Sequence, residues 1–143
     1  MKLSEVNGKK SYRFKEVFVV EKVTLQAEYG LYINGEWRKA SDGKTFAAYS
    51  PADNSFLAKC AEATRKDVDT AFQAAQKAFE TWKKTTPAER AVLLNKLADV
   101  IDANKEHLAM VESMDNGKPI RETPAIDVPY ASDHFRYYAG AVR

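Results

Sequence analysis

Cysteine, histidine and glycine are all scarce in this chain, and each scarcity excludes something. Cys60 is the sole cysteine, so no internal disulfide can form, and a reducing, cytoplasmic setting is expected. His107 and His134 are the only histidines, and no clear Cys/His/Asp cluster joins them, so a zinc-type centre is not expected. The six glycines stand at positions 8, 30, 35, 43, 117 and 140, and none forms Gly-x-Gly-x-x-Gly, the strand-to-helix turn that carries a pyrophosphate. Long apolar runs are missing too. Val17-Phe18-Val19-Val20 is closed by Glu16 and Glu21, so neither a membrane span nor an export signal is expected. A surplus of one charge is also lacking: the net charge is +2, and residues 1–29 hold six Lys/Arg against four Glu, which leaves sixteen of each sign in the remainder. A neutral body offers no electrostatic footprint for nucleic acid.

What is present suits one globular domain. The 143 residues are 45% hydrophobic and 29% charged, an ordinary balance. A chain of this size can bury roughly two-thirds of its unfolded surface. Met1 to Lys10 is polar and is expected to be a disordered tail. Tyr12 to Ala27 mixes β-branched, aromatic and charged residues, and Val19, Val23 and Leu25 suggest a strand of imperfect alternation. Leu31-Tyr32-Ile33 and Glu36-Trp37-Arg38 flank Asn34-Gly35, the pair that a type I′ hairpin turn requires. Thr45–Tyr49 and Phe56–Ala61 predict a second hairpin around Ala52-Asp53-Asn54-Ser55.

Helical patterning begins at Thr64, with Asp67 at capping-box spacing and Val68, Ala71, Phe72, Ala75, Phe79 and Trp82 along one face. Thr86, Pro87 and Glu89 supply a second start, followed by a stripe of Leu93, Leu94, Leu97 and Ile101. Asn104 is expected to break and recap the chain. Leu108, Val111 and Met114 mark a third helix ending at Gly117. From about Val128 or Pro129, Ala131, Phe135, Tyr138 and Val142 line a fourth. The expected class is α+β: two short hairpins, then about four helices. Two hairpins cannot bury a core alone, so they must lie against the helices or against further sheet.

Two stretches are specific enough to resemble one family. ESMDNGKPIRET followed by DVPYASDHFRYYAG, within Met110 to Arg143, resembles the aldehyde dehydrogenases, nearest their bacterial acetaldehyde-type branch. LYINGEWRKASDGKTF, Leu31 to Phe46, resembles that family's opening hairpin. The likeness runs from about Tyr29 to Arg143, and implies an extension over 1–28 and, over 29–143, the incomplete N-terminal part of the family's cofactor domain, itself an α/β fold. It implies a parent enzyme that oxidises an aldehyde to a carboxylic acid with NAD or NADP. Its partners would be the remainder of such an enzyme or a second copy, with no nucleic acid and no membrane.

The family's chemistry needs a thiolate nucleophile, a carboxylate base and an oxyanion donor. In the family these lie downstream of the matched part, and no nucleophile motif surrounds Cys60, which is expected to be a packing residue. The chain alone is therefore expected to be inactive, with no catalytic or cofactor-binding residue of its own. The resemblance also implies a monovalent-cation site at Asp115, helped by backbone carbonyls of Ala48 and Tyr49, since hard cations prefer oxygen. A local hydrogen bond from Asp115 around the Asn116-Gly117 turn is the more ordinary expectation. Arg121 and Arg136 are expected in salt bridges, His107 on the surface and His134 at the edge of a buried face. Tyr130, Phe135, Tyr137 and Tyr138 could stack on bases, but core or interface use is expected. Trp37 is expected to be a packing anchor. Two other classes stay open: a non-catalytic helical module that docks on a partner chain or on itself, and a small independent helical binding protein.

Overall fold

The computed structural model describes residues 2–6 and 9–13 through their backbone, and residues 23–142 in full. β1 (Lys2–Val6) and β2 (Lys9–Arg13) pair antiparallel, where a disordered tail was expected over Met1 to Lys10. The Asn7-Gly8 pair between them carries the same turn preference that marks the next hairpin. Of the strand expected within Tyr12 to Ala27, residues 14–22 lie outside the described residues. Val23 to Gln26 have no regular structure.

β3 (Glu28–Tyr29) pairs parallel with β7 (Phe56–Ala61), and β6 (Thr45–Tyr49) pairs antiparallel with the other side of β7. The order β3-β7-β6 leaves β7 central. Between β3 and β6 the chain makes the expected hairpin of β4 (Leu31–Ile33) and β5 (Glu36–Arg38). Asn34 and Gly35 have φ of 54° and 82°, so the Asn-Gly turn adopts positive φ at both central residues. Gly30 has its own reason: a Cβ there would stand 2.7 Å from the Arg38 carbonyl oxygen.

Among the described residues, four α-helices begin where their sequence signals stand. α1 (Arg65–Trp82) and α2 (Pro87–Ala103) each start on a complete capping box, Thr64 with Asp67 and Thr86 with Glu89. Asn104 ends α2, and its side chain turns back to the Val100 carbonyl at 2.8 Å rather than capping α3 (Lys105–Asn116). Gly117 closes α3 in the left-handed conformation at φ 77°. A π-helical turn over Thr123–Asp127 then leads into α4 (Val128–Ala141).

The core lies on the helical side, where α2 and α4 pack along their length and α3 joins them through the π-helical turn. Its seam differs from the expected stripes. Ala91 and Ala98 are buried on α2, with Leu94 and Ile101 half-buried, while Leu93 and Leu97 are exposed. On α4 the buried face runs through Val128, Ser132 and Ala139 with Phe135, while Ala131 and Tyr138 point outward. Small residues at the seam let the two helices approach closely, which turns the leucine flank of α2 away from α4. Arg136 fastens the outer edge of this contact, donating to Asp99 at 2.9 Å and Asp102 at 2.7 Å. The expected face of α1 is present but uncovered, as described below.

Candidate functional site

The most fully bonded polar group among the described residues is Asp67, at the first turn of α1. Its carboxylate accepts from the backbone N–H of Ser41 at 3.1 Å and of Thr64 at 2.9 Å. The hydroxyls of Thr64 (2.8 Å) and Ser41 (3.2 Å) complete the set. These donors, the Ser41 amide foremost, hold its pKa down to about 2 from an ordinary 3.8. Asp67 therefore does more than cap a helix: it ties the turn after β5 to α1, 26 residues apart in sequence. That tie sets the β4–β5 hairpin beside α1, where Ile33, Asn34, Arg38, Thr70, Ala74 and Lys77 line a small shared groove.

The residues expected around a cation fall at another junction. Ala48 and Tyr49 end β6, where a bulge interrupts the ladder: Ala48 faces Ala58 and Tyr49 faces Phe56. The end of α3 comes to this place, because a Cβ on Gly117 would stand 2.8 Å from Cγ of Pro51, two residues beyond Tyr49. Asp115 is exposed on the last turn of α3. The local bond expected of Asp115 belongs instead to Asn116, whose Oδ1 accepts from the Lys118 N–H at 2.8 Å. Asx turns favour the residue two before the donor, and Asn116 holds that place. Among the described residues no group of three His, Cys, Asp or Glu gathers as a metal cluster.

Other candidates divide clearly. Arg136 and Arg121 are salt-bridged, Arg121 to Glu122 at 3.4 Å. His107 is on the surface. His134 is exposed rather than at a buried edge, and its ring stands edge-on to Tyr130 with centroids 4.2 Å apart. The seam explains the difference, since Ser132 and Ala139 take the inward positions of α4. Tyr130, Tyr137 and Tyr138 are exposed and Phe135 is half-buried. Trp37 meets Tyr32 at a tilt of 54° with ring centroids 5.1 Å apart, but remains largely exposed. Cys60 is half-buried on the central strand, paired with Tyr29 on one side and Phe46 on the other. One ion pair had no sequence signal: Lys118 reaches Oδ1 of Asp127 at 2.6 Å, which pushes the lysine pKa up. Oδ2 of the same carboxylate is buried without a hydrogen-bond partner among the described residues.

A further feature is apolar. On α1, Val68, Phe72, Phe79 and Trp82 form the expected stripe, yet Phe72 is 61% exposed and Phe79 is 55% exposed. Leu93 and Leu97 of α2 are exposed as well. Between the helices lies an open groove of about 530 Å³, lined by Ala75, Ala78, Phe79, Trp82 and Leu93 with Thr81 and Thr85. Burying a side chain of this size contributes about 1.5–3 kcal/mol. Exposed apolar side chains of α1 and α2 meet at this groove.

Known proteins resemble this chain in sequence and in fold. The sequence profile of the Aldehyde dehydrogenase family matches residues 37–143. An aldehyde dehydrogenase of Rhodospirillum rubrum is 46% identical over 119 residues, 83% of this chain and 24% of the relative. An EPTC-inducible aldehyde dehydrogenase of Rhodococcus erythropolis is 44% identical over 121 residues, 85% of this chain and 24% of the relative. The NAD+ complex of an aldehyde dehydrogenase from Bacillus cereus superposes with a TM-score of 0.76 at 45% identity, over 79% of this chain and 23% of that one. The chain belongs to the aldehyde dehydrogenase family. Its fold matches the N-terminal part of the aldehyde dehydrogenase fold, and it spans about a quarter of the length of the relatives it matches. Among the described residues, no helix is long and apolar enough to cross a membrane.

Proposed function

We infer that this chain supplies the N-terminal part of an NAD(P)-dependent aldehyde dehydrogenase and that the remainder of such an enzyme seats on its uncovered apolar face. The parent reaction is oxidation of an aldehyde, of the acetaldehyde type, to a carboxylic acid in the cytoplasm. The observation that carries this reading is the α1 stripe: a helix with an apolar face that stays exposed among the described residues, in a family whose members are about four times as long. Residues 29–143 are the working body and 1–28 an extension.

The residues described here do not fit a dinucleotide. Gly35 and Gly43 lie in turns of the β region, Gly117 ends a helix, Gly30 abuts the Arg38 carbonyl and Gly140 lies inside α4. None opens a helix N-terminus, the place where backbone N–H groups cradle a phosphate. The groove beside α1 is lined mainly by hydrocarbon. The cofactor and the thiolate chemistry therefore belong to the remainder, and this chain's part is to cover and position it. The chain alone is expected to bind an apolar-surface dye. Replacing Phe72 and Phe79 by Asp is expected to remove most of that signal with little change in melting temperature. A native chain that takes up no dye would remove the basis for the reading.

The same surface favours a second reading, pairing of the chain with itself. A molecular mass by light scattering that doubles with concentration, and returns to the monomer value in the Phe72→Asp/Phe79→Asp variant, would favour it.

Asp115 with the carbonyls of Ala48 and Tyr49 is the place for a monovalent cation. The meeting of the α3 end with the end of β6, and the oxygen-only donor set, support it. Melting in potassium against choline chloride at equal ionic strength is expected to be higher in potassium, and Asp115→Ala is expected to abolish the difference. Equal melting of the native chain in both salts would remove the site.

A further inference from the structure

Asn34-Gly35 and Asn116-Gly117 share one chemical liability and differ in how the fold treats it. In an Asn-Gly pair the deprotonated glycine nitrogen can attack the asparagine Cγ. The bond from Cγ to the side-chain nitrogen breaks, ammonia leaves and a cyclic imide forms. Water then opens the imide to aspartate or isoaspartate, with no oxidant or reductant involved. Glycine permits this best because it has no side chain to obstruct the approach.

At Asn116 the fold opposes each step. The Gly117 N–H donates to the Ser113 carbonyl at 3.0 Å. The Asn116 amide is held at both ends, its Oδ1 by the Lys118 N–H at 2.8 Å and its Nδ2 by Glu112 at 3.4 Å. Pro51 presses on Gly117 from outside. At Asn34 the fold permits them. Asn34 and Gly35 are exposed at the hairpin tip, and nothing lies within 4 Å of the place where a Gly35 Cβ would be. Asn34 lines an open groove together with Arg38 and Lys77, and Arg38 is paired with Glu36 at 3.3 Å. Asn34 also holds φ at 54°, a conformation that aspartate tolerates.

We propose that Asn34 is a spontaneous deamidation site of the native chain, and that Asn116 is shielded by the cap of α3. The aspartate product adds a negative charge at the rim of that groove. The isoaspartate product lengthens the backbone inside the turn and breaks the Ile33–Glu36 register that holds Tyr32 against Trp37.

The test is peptide mapping by mass spectrometry of the full chain, aged at mildly alkaline pH, native and in concentrated urea. The chain has a third such pair, Asn7-Gly8, and in urea Asn34 and Asn116 are expected to convert at rates similar to each other. In the native chain Asn34 is expected to convert about tenfold faster than Asn116 or more, the ratio set by first breaking the Gly117 hydrogen bond and opening its cap. An Asn34→Asp chain supplies the marker for the aspartate product. Equal native rates, faster loss at Asn116, or an Asn34 that converts only in urea would each overturn the proposal.

Discussion

Asp67 illustrates how much one carboxylate can organise. Its folded pKa of about 2 lies below the ordinary 3.8, so it favours folding above the ordinary value and loses that contribution as pH falls toward 2. Glu89 and Asp102 are also held low, by the Thr86 amide and by Ser132 with Arg136, so acid sensitivity is shared. The difference between the native chain and Asp67→Asn isolates the one residue. The variant is expected to melt lower at neutral pH and to lose less melting temperature between about pH 4 and pH 2. Parallel melting curves across that range would contradict the assignment. Gly117 is the second informative residue. Gly117→Ala meets both a left-handed φ of 77° and a contact of 2.8 Å with Pro51. The conformation alone costs about 1–2 kcal/mol. The loss should appear as a lower urea midpoint with unchanged slope. An unchanged midpoint would mean that α3 does not end against Pro51.

At the scale of elements, the seam between α2 and α4 governs stability. Ala98 is fully buried there. Ala98→Leu is expected to cost about 1–3 kcal/mol by forcing the helices apart, whereas the same change at exposed Val92 should matter little. Urea denaturation of the two variants checks this, and equal midpoints would refute the seam. The elements themselves were legible from sequence wherever local chemistry specifies them. Asn34-Gly35, Thr64 with Asp67, Thr86-Pro87 with Glu89, and Gly117 each carry their structural reason within four residues. Burial was not legible in this way. Leu93 and Leu97 match a core stripe as well as Leu94 does, and only the partner helix decides which are covered. The two-residue parallel strand at Glu28–Tyr29 and the Ser41–Asp67 tie depend on residues far apart in sequence, so no local pattern announces them. The π-helical turn gave only the punctuation of Pro124.

For the whole molecule, the family was legible in two short stretches, because turn, cap and aromatic residues recur there in a fixed order. The chemistry was not, since neither stretch carries a nucleophile motif or a Gly-x-Gly-x-x-Gly turn. At this scale an apolar stripe on α1, a leucine flank on α2 and an open groove between them form the exposed apolar surface on which the proposed role rests.

The claim that this chain covers and positions a catalytic remainder, and holds no catalytic centre itself, is open to one direct measurement. Pure chain is mixed with acetaldehyde and either NAD or NADP, and nicotinamide reduction is followed by absorbance. No reduction above the buffer control is predicted with either cofactor. Steady turnover that disappears in the Cys60→Ser variant would contradict the account, because it would place the nucleophile and the cofactor on this chain.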